Sequence, residues 1–101
     1  MPQLIKIFWR DIPSQVIAKR GRIKAKAVLS ERFQKAIDRA AMKAGRQGSE
    51  EYLNDWRRSY EECDGDLEAT AKTAAEQLEG QYSDEKLEQL VRSRGLEEPA
   101  P

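Results

Sequence analysis

The sequence contains no histidine and a single cysteine, Cys63. Without histidine, the chain lacks the most common general base, the serine–histidine and cysteine–histidine nucleophile pairs, and the commonest metal ligand. One cysteine can form neither an intrachain disulfide nor a structural zinc site. We therefore expect that the protein is not an enzyme and that it uses no cofactor and no metal.

A glycine-rich phosphate loop is also missing, because the six glycines are scattered at positions 21, 45, 48, 65, 80 and 95. The acidic stretch "EECDGDLE" (61–68) lacks the glycine and the bidentate acid of an EF-hand loop. We interpret this stretch as the end of one helix and the start of the next, with Asp66 as the N-cap.

Long apolar runs are absent as well, since no stretch approaches the ~20 residues that span a bilayer. The N-terminal "MPQLIKIFWR" does not have the basic segment and long apolar run of a secretory signal. A single cysteine fits a reducing compartment. We therefore expect a cytoplasmic protein that does not bind membranes.

What the sequence has in abundance is charge, at 36% of its 101 residues, with a net charge of zero. The charge is unevenly distributed along the chain. Residues 1–46 carry twelve Lys or Arg and three acids, a net +9, while residues 47–101 carry six and fifteen, a net −9. Such asymmetry concerns association rather than fold. Because exposed ion pairs contribute only ~0–1 kcal/mol each, we expect a monomer at physiological salt.

The first thirty residues predict a small antiparallel sheet of two or three strands. "QLIKIFWR" alternates as a strand, Pro13 interrupts the pattern, and "QVIAK" follows as a second short strand. "RIKAKAVL" (22–29) alternates small apolar residues with Arg22, Lys24 and Lys26. This pattern predicts a third strand with a basic face, although alanine and lysine also suit a helix.

From Ser30 onward the apolar period becomes helical. Ser30 is the expected N-cap of the first helix and Gly45 its stop. "GSEEYLNDWRRSYEEC" (48–63) predicts a second helix, the segment from Leu67 to Gly80 a third, and the segment after Ser83 a fourth that ends at Gly95. The fold class is therefore α+β: a small N-terminal antiparallel sheet, then three to four helices. Residues 1–96 are predicted to form one domain and 97–101 a flexible tail. The apolar stripe of the first helix consists of Leu29, Phe33, Ala36, Ile37, Ala40, Ala41 and Ala44.

Three segments resemble a small bacterial family known as "virulence factor", whose domain also occurs in conserved virulence factor C proteins. The segments are "IFWRDIPSQVIAKRG", "LSERFQKAIDRAAMKAG" and "YLNDWRR", and the similarity runs from about Ile5 to Arg58. The family name describes a phenotype, so the resemblance implies no reaction and no catalytic residues. It does imply a bacterial protein, and a gene neighbourhood of one-carbon metabolism enzymes, which would suit an accessory subunit.

The basic segment "AKRGRIKAKA" (18–27) is the main functional candidate. We expect a non-catalytic protein-interaction or accessory subunit that binds an unidentified protein partner, with an exposed sheet aromatic, Phe8 or Trp9, as the anchor. The alternatives are a nucleic-acid-binding module that uses residues 19–26, a basic face neutralised by the chain's own acidic helices, and an accessory component of a one-carbon metabolism enzyme. A pI near 6.3 makes nucleic acid the weaker partner. The candidate partner-binding residues are Phe8, Arg10, Lys19, Arg20, Arg22, Lys24 and Lys26.

Overall fold

The computed structural model describes residues 2–46, 48 and 50–97. In this part of the chain the strands are β1 (Gln3–Trp9), β2 (Ile12–Arg20), β3 (Ile23–Val28) and β4 (Trp56–Glu62). They form one antiparallel sheet in the order β3-β2-β1-β4. The α+β class is thus confirmed, and so is the third strand, but the sheet is larger than the predicted two or three strands.

Two short hairpins connect the first three strands. The β1–β2 turn consists of Arg10, at φ 53°, and Asp11, whose backbone N–H donates to the Gly95 carbonyl at 2.8 Å. The β2–β3 turn consists of Gly21 and Arg22. Gly21 has φ 59°, and glycine at the first position of a two-residue loop is typical of a type II′ turn. This turn sets the register in which β3 pairs with β2.

The described helices are α1 (Glu31–Lys43), α2 (Glu50–Asn54), α3 (Leu67–Gln81) and α4 (Asp84–Arg92). The first, third and fourth predicted helices are confirmed. Gly45 stops α1 in the left-handed conformation, at φ 69°, and the Ser83 hydroxyl caps α4 by accepting from the Lys86 N–H at 3.1 Å.

The second predicted helix is wrong over most of its length. Only residues 50–54 are helical, and residues 56–62 form the edge strand β4, so the helices do not all follow the sheet. Trp56 and Tyr60 are four residues apart, a spacing that places them on one face of a helix and also on one face of a strand. The periodicity is therefore ambiguous, and pairing with the open edge of β1 decides it.

The core lies between one face of the sheet and the helices. α3 packs on β2 and β3, and α1 packs on α4 and on β2. All the predicted stripe residues of α1 are buried except Ala44, which is half-buried. The largest completely buried side chains are Trp9, Phe33, Ile12, Ile37 and Val16.

Glu97, the first residue of the predicted flexible tail, contacts the β1–β2 turn and α4. The Glu97 backbone N–H donates to the Asp11 carboxylate at 2.6 Å, and the Glu97 carboxylate lies 3.8 Å from Lys86 Nζ. Residues 98–101 of the predicted tail lie outside the described residues.

The N-terminus of α1 is capped by a side chain of α3 rather than by the side chain of its own N-cap residue. Ser30 occupies the N-cap position, as predicted, but its side chain makes no capping bond. Instead, the Glu79 carboxylate of α3 accepts from the Ser30 N–H at 2.6 Å and from the Ser30 hydroxyl at 2.9 Å. Arg32 donates to the same carboxylate at 3.2 Å and to the Glu79 carbonyl at 2.8 Å. Glu79 therefore ties α1 to α3.

This arrangement predicts a pH dependence of stability. Burial works to raise the pKa of Glu79, but the bonds from Ser30 and Arg32 outweigh it and hold the pKa below its ordinary value of 4.5. A lowered pKa in the folded state means that the ionised carboxylate stabilises the fold above the ordinary pKa, and that this stabilisation is lost as the pH falls through the folded value. Urea unfolding at several acidic pH values should therefore show a smaller loss of stability on acidification for Glu79→Gln than for the wild type.

The matched control is Glu76→Gln. Glu76 is exposed on the same helix and forms no ion pair among the described residues. Its variant should lose stability with falling pH as the wild type does. Parallel pH profiles for wild type and Glu79→Gln would contradict the role assigned to Glu79.

Candidate functional site

The two faces of the sheet differ in what covers them. On the first face, Leu4, Val16, Ala18, Ala25 and Ala27 join the hydrophobic core on which α3 packs. The second face, which we call the basic face, presents the side chains of the alternate residues. The strand register arranges the basic face in three rows from β4 to β3: Arg58–Ile7–Gln15–Val28, Tyr60–Ile5–Ile17–Lys26 and Glu62–Gln3–Lys19–Lys24.

The middle of the basic face is apolar. Ile5 and Ile7 are buried, at 6% and 7% exposed, but do not belong to the core cluster, and Ile17 is half-buried. On either side of them, Val28 and Tyr60 are 68% and 58% exposed. The exposed apolar side chains of this face are therefore Val28 on β3 and Tyr60 on β4, with the buried isoleucines of β1 between them.

Cations surround this apolar centre. Lys24, Lys26 and Arg58 are exposed and Lys19 is half-buried, and none of the four forms an ion pair among the described residues. Lys19 and Lys24 are direct cross-strand partners, an arrangement in which like charges destabilise a sheet. Glu62, at the far edge, is the one acid in the three rows, so the face carries an excess of positive charge.

The structure contradicts the expectation of an exposed Phe8 or Trp9. Phe8 is 9% exposed and lies beneath the Arg57 guanidinium, 4.5 Å from the ring centroid. Trp9 is fully buried, stacks on Tyr52 and donates its indole N–H to the Tyr52 carbonyl at 2.9 Å. The exposed sheet aromatic is Tyr60, which sequence reasoning missed because its segment was assigned to a helix.

Arg10 is separated from the other candidate residues. It forms an ion pair with Asp55 at 3.2 Å, donates to the Arg94 carbonyl at 2.8 Å and lies over the Trp9 ring. Its turn and the Gly21–Arg22 turn lie at opposite ends of β2, roughly 25–30 Å apart at the usual rise of a strand. Arg10 therefore holds the β1–β2 hairpin to its neighbours.

The remaining candidate residues divide between the faces. Lys19, Lys24 and Lys26 share the basic face, whereas Arg20 lies on the first face and donates to the Gly65 carbonyl at 3.3 Å. Arg22 is exposed in the turn. The structure thus brings together the lysines of the candidate set.

Charge neutralisation between the two halves of the chain occurs elsewhere. The acidic half forms ion pairs with residues of α1, β1 and the turns, and leaves the lysines of the basic face without a counter-charge from the described residues. Among the described residues, the ion pairs that join the two halves are Lys6–Glu61, Arg10–Asp55, Arg32–Glu79, Arg32–Asp84, Arg39–Glu88, Arg46–Asp55 and Arg57–Asp11.

Acidic and cysteine side chains in the described ranges do not gather into a cluster that could hold a metal ion. None of the helices in these ranges is both long enough and apolar enough to cross a membrane. Cys63 is half-buried just after β4, rather than at the end of a helix as expected.

Comparison with known proteins yields a family match. A family model described as "Virulence factor" matches residues 7–91, which include most of the sheet and all four described helices up to Val91. No curated protein and no solved structure matches the chain.

Proposed function

The chain belongs to the virulence factor family, and we propose that it acts as a non-catalytic accessory subunit that binds an acidic surface of a protein partner. The observation that supports this proposal is the basic face, where lysines without counter-charges among the described residues share the surface with the exposed side chains of Val28 and Tyr60. The family description indicates no reaction. The non-enzymatic role and the cytoplasmic location remain predictions.

The composition of the basic face is that of an interface. Protein interfaces have an apolar centre, often with tyrosine or tryptophan as anchors, and a polar rim that excludes water. Tyr60, Val28 and the half-buried Ile17 would supply the apolar contacts, and Lys19, Lys24, Lys26 and Arg58 the rim. Rim cations accelerate association with an acidic partner more than they strengthen it.

The like-charge pair adds a second argument. A face whose only task is to be solvated gains nothing from placing Lys19 directly opposite Lys24, since this arrangement costs stability. An acidic side chain of a partner, bound between the two lysines, would convert that repulsion into attraction. We therefore rank partner binding above a merely solvated basic face.

Nucleic acid ranks lower as a partner. Proteins that bind single strands on a sheet stack successive bases on several aromatic side chains. Tyr60 is the one aromatic residue in the three rows of the basic face, because Phe8 and Trp9 are buried. The one-carbon metabolism alternative concerns the identity of the partner and uses the same face.

The proposal is tested by reversing charge at matched positions. Lys24→Glu/Lys26→Glu changes the basic face, and Lys35→Glu/Lys43→Glu makes the same change on the exposed side of α1. Each tagged chain is used to capture proteins from a nuclease-treated bacterial lysate, with identification by mass spectrometry. A partner retained by the wild type and the α1 variant should be depleted at least about tenfold by the basic-face variant, the loss expected when close charge pairs turn repulsive.

Two outcomes would count against the proposal. Equal retention of every captured protein by both variants would mean that the basic face does not carry the binding. Tight binding of labelled DNA or RNA at physiological salt, with an affinity that falls steeply as salt rises, would favour the nucleic-acid alternative. Circular dichroism of both variants checks that exposed lysine-to-glutamate changes leave the fold intact.

A further inference from the structure

β3 is an edge strand, since β2 is its only neighbour in the described sheet. Alternate residues of an antiparallel edge strand direct their backbone N–H and C=O groups toward the neighbouring strand and toward solvent. The hydrogen bonds just after β3 identify which residues point outward. The Leu29 N–H donates to the Ser14 carbonyl at 3.1 Å, toward β2, whereas the Ser30 N–H points outward to the Glu79 carboxylate.

By this alternation, the outward backbone groups of β3 belong to Lys24, Lys26 and Val28. No described residue bonds to these groups. The register between β2 and β3 runs without a bulge, and β3 contains no proline, so two of the usual means of blocking an edge are missing. Glu79 closes the edge at Ser30 only, which leaves residues 24–28 as an open template for another strand.

A groove runs along this edge. It has a volume of about 390 Å³ and lies between residues 24–27 of β3 and Glu68, Ala71 and Lys72 of α3. Ala25, Ala27 and Ala71 are small side chains, so they leave room for alternate side chains of an added strand. A groove between an edge strand and a helix suits recognition by strand addition, in which backbone bonds supply affinity and side-chain pockets supply specificity.

The charge of the groove selects the occupant. Lys24, Lys26 and Lys72 contribute cations against the single acid Glu68, and none of these lysines forms an ion pair among the described residues. A second copy of β3 would place lysines opposite lysines, which opposes self-pairing. An extended segment with alternating acidic residues would place its carboxylates beside the lysines and its backbone on the open edge.

We propose that the outer edge of β3 binds an extended acidic segment of the partner protein by β-strand addition. This inference rests on the proposed function and specifies how the partner is recognised. The added strand pairs with Lys24, Lys26 and Val28 and lies in the groove beside α3. Its acidic side chains contact the lysines of the edge, and the basic face continues the contact beyond the edge.

The probe is a capped eight-residue peptide of alternating valine and glutamate, added to the full chain. A second peptide of the same sequence, with every backbone nitrogen methylated, has the same charge but loses the donors that strand pairing requires on both of its edges. Amide hydrogen exchange followed by NMR should show that the parent peptide protects the amides of Lys24, Lys26 and Val28. The amides of Ala25 and Ala27 should not change, because they already bond to β2.

Two variants separate the contribution of the backbone hydrogen bond to peptide binding from the contribution of the lysine charge. Lys26→Pro removes the outward N–H without removing a bond to β2, and edge strands tolerate proline at such positions. Lys26→Gln keeps the N–H and removes the charge. We expect Lys26→Pro to weaken binding of the parent peptide by about tenfold, as for the loss of a backbone hydrogen bond plus steric blockage, and Lys26→Gln by only about two- to threefold.

Equal affinity of the parent and methylated peptides would overturn strand addition, and so would equal losses in the two variants. In either case the basic face could still bind the captured partner, and the Lys24→Glu/Lys26→Glu comparison would report that independently. The methylated peptide keeps the test valid if Lys26→Pro fails to fold. A dimer that disappears in Lys26→Pro would also overturn the proposal, because a second copy would then occupy the edge.

Discussion

Replacing Phe33 by alanine is expected to lower the free energy of unfolding by about 3–5 kcal/mol. Phe33 is 1% exposed at the centre of the apolar stripe of α1. Its ring packs edge-on against Tyr82, with 5.9 Å between ring centroids, and the Arg32 guanidinium lies 4.5 Å from its centroid. The variant would lose the burial of the ring and leave a cavity where α1 meets the end of α3. Since domains of this size have a stability of roughly 5 kcal/mol, much of the protein should be unfolded.

The matched control is Met42→Ala on the same helix. Met42 is 60% exposed, so its truncation should change the free energy of unfolding by no more than about 0.5 kcal/mol. Urea unfolding of both variants, followed by circular dichroism, measures the difference. If Phe33→Ala loses less than 1 kcal/mol, the stripe of α1 cannot be the core of the protein in solution.

The sequence predicted the elements whose structure is determined locally. α1 has an apolar stripe at helical spacing, with residues 33, 36, 37, 40 and 41 buried as expected. α4 begins at a serine cap, as expected from Ser83. In both helices the burial pattern and the end signals agree, so little information from the rest of the chain is needed.

The segment 56–62 could not be assigned in this way. Its aromatic residues fit both periods, and its charged residues fit an exposed helix as well as an edge strand. The segment forms a strand because it pairs with the open edge of β1, where Trp56 lies opposite Trp9 and Tyr60 opposite Ile5. A pairing between residues more than forty positions apart leaves no mark in local propensity.

For the candidate site too, the sequence predicted what depends on local alternation and missed what depends on long-range pairing. The alternation in "RIKAKAVL" correctly placed Lys24 and Lys26 on the face opposite the alanines. Arg10 was grouped with them by charge alone, yet the hairpin carries it to the opposite end of β2. Phe8 is buried by Arg57, a residue of β4, so the error in the second helix also caused the error in the anchor.

The second substitution with a large expected effect on stability is at Gly95, in the segment after α4. Gly95 has φ 88°, and its N–H and carbonyl bond to the Leu90 carbonyl and the Asp11 N–H. A methyl group there would lie 2.8 Å from Cζ3 of Trp9. The indole cannot move away, because it is fully buried and held by its bond to the Tyr52 carbonyl. The sequence indicated Gly95 only as a helix stop, whereas the structure makes it the contact between the C-terminal segment and the core.

Gly95→Ala should therefore destabilise the protein by about 2–4 kcal/mol, through left-handed backbone strain and overpacking against Trp9. Gly80→Ala is the matched control, because Gly80 lies within α3 and an added methyl group meets no atom within 4 Å. An alanine in a helix is favoured over glycine by roughly 0.5–1 kcal/mol, so this variant should be slightly more stable than the wild type. We therefore expect urea unfolding to show that the same substitution, glycine to alanine, lowers the free energy of unfolding at position 95 and raises it at position 80. If both variants shift stability in the same direction, the close approach of Gly95 to Trp9 does not exist in solution.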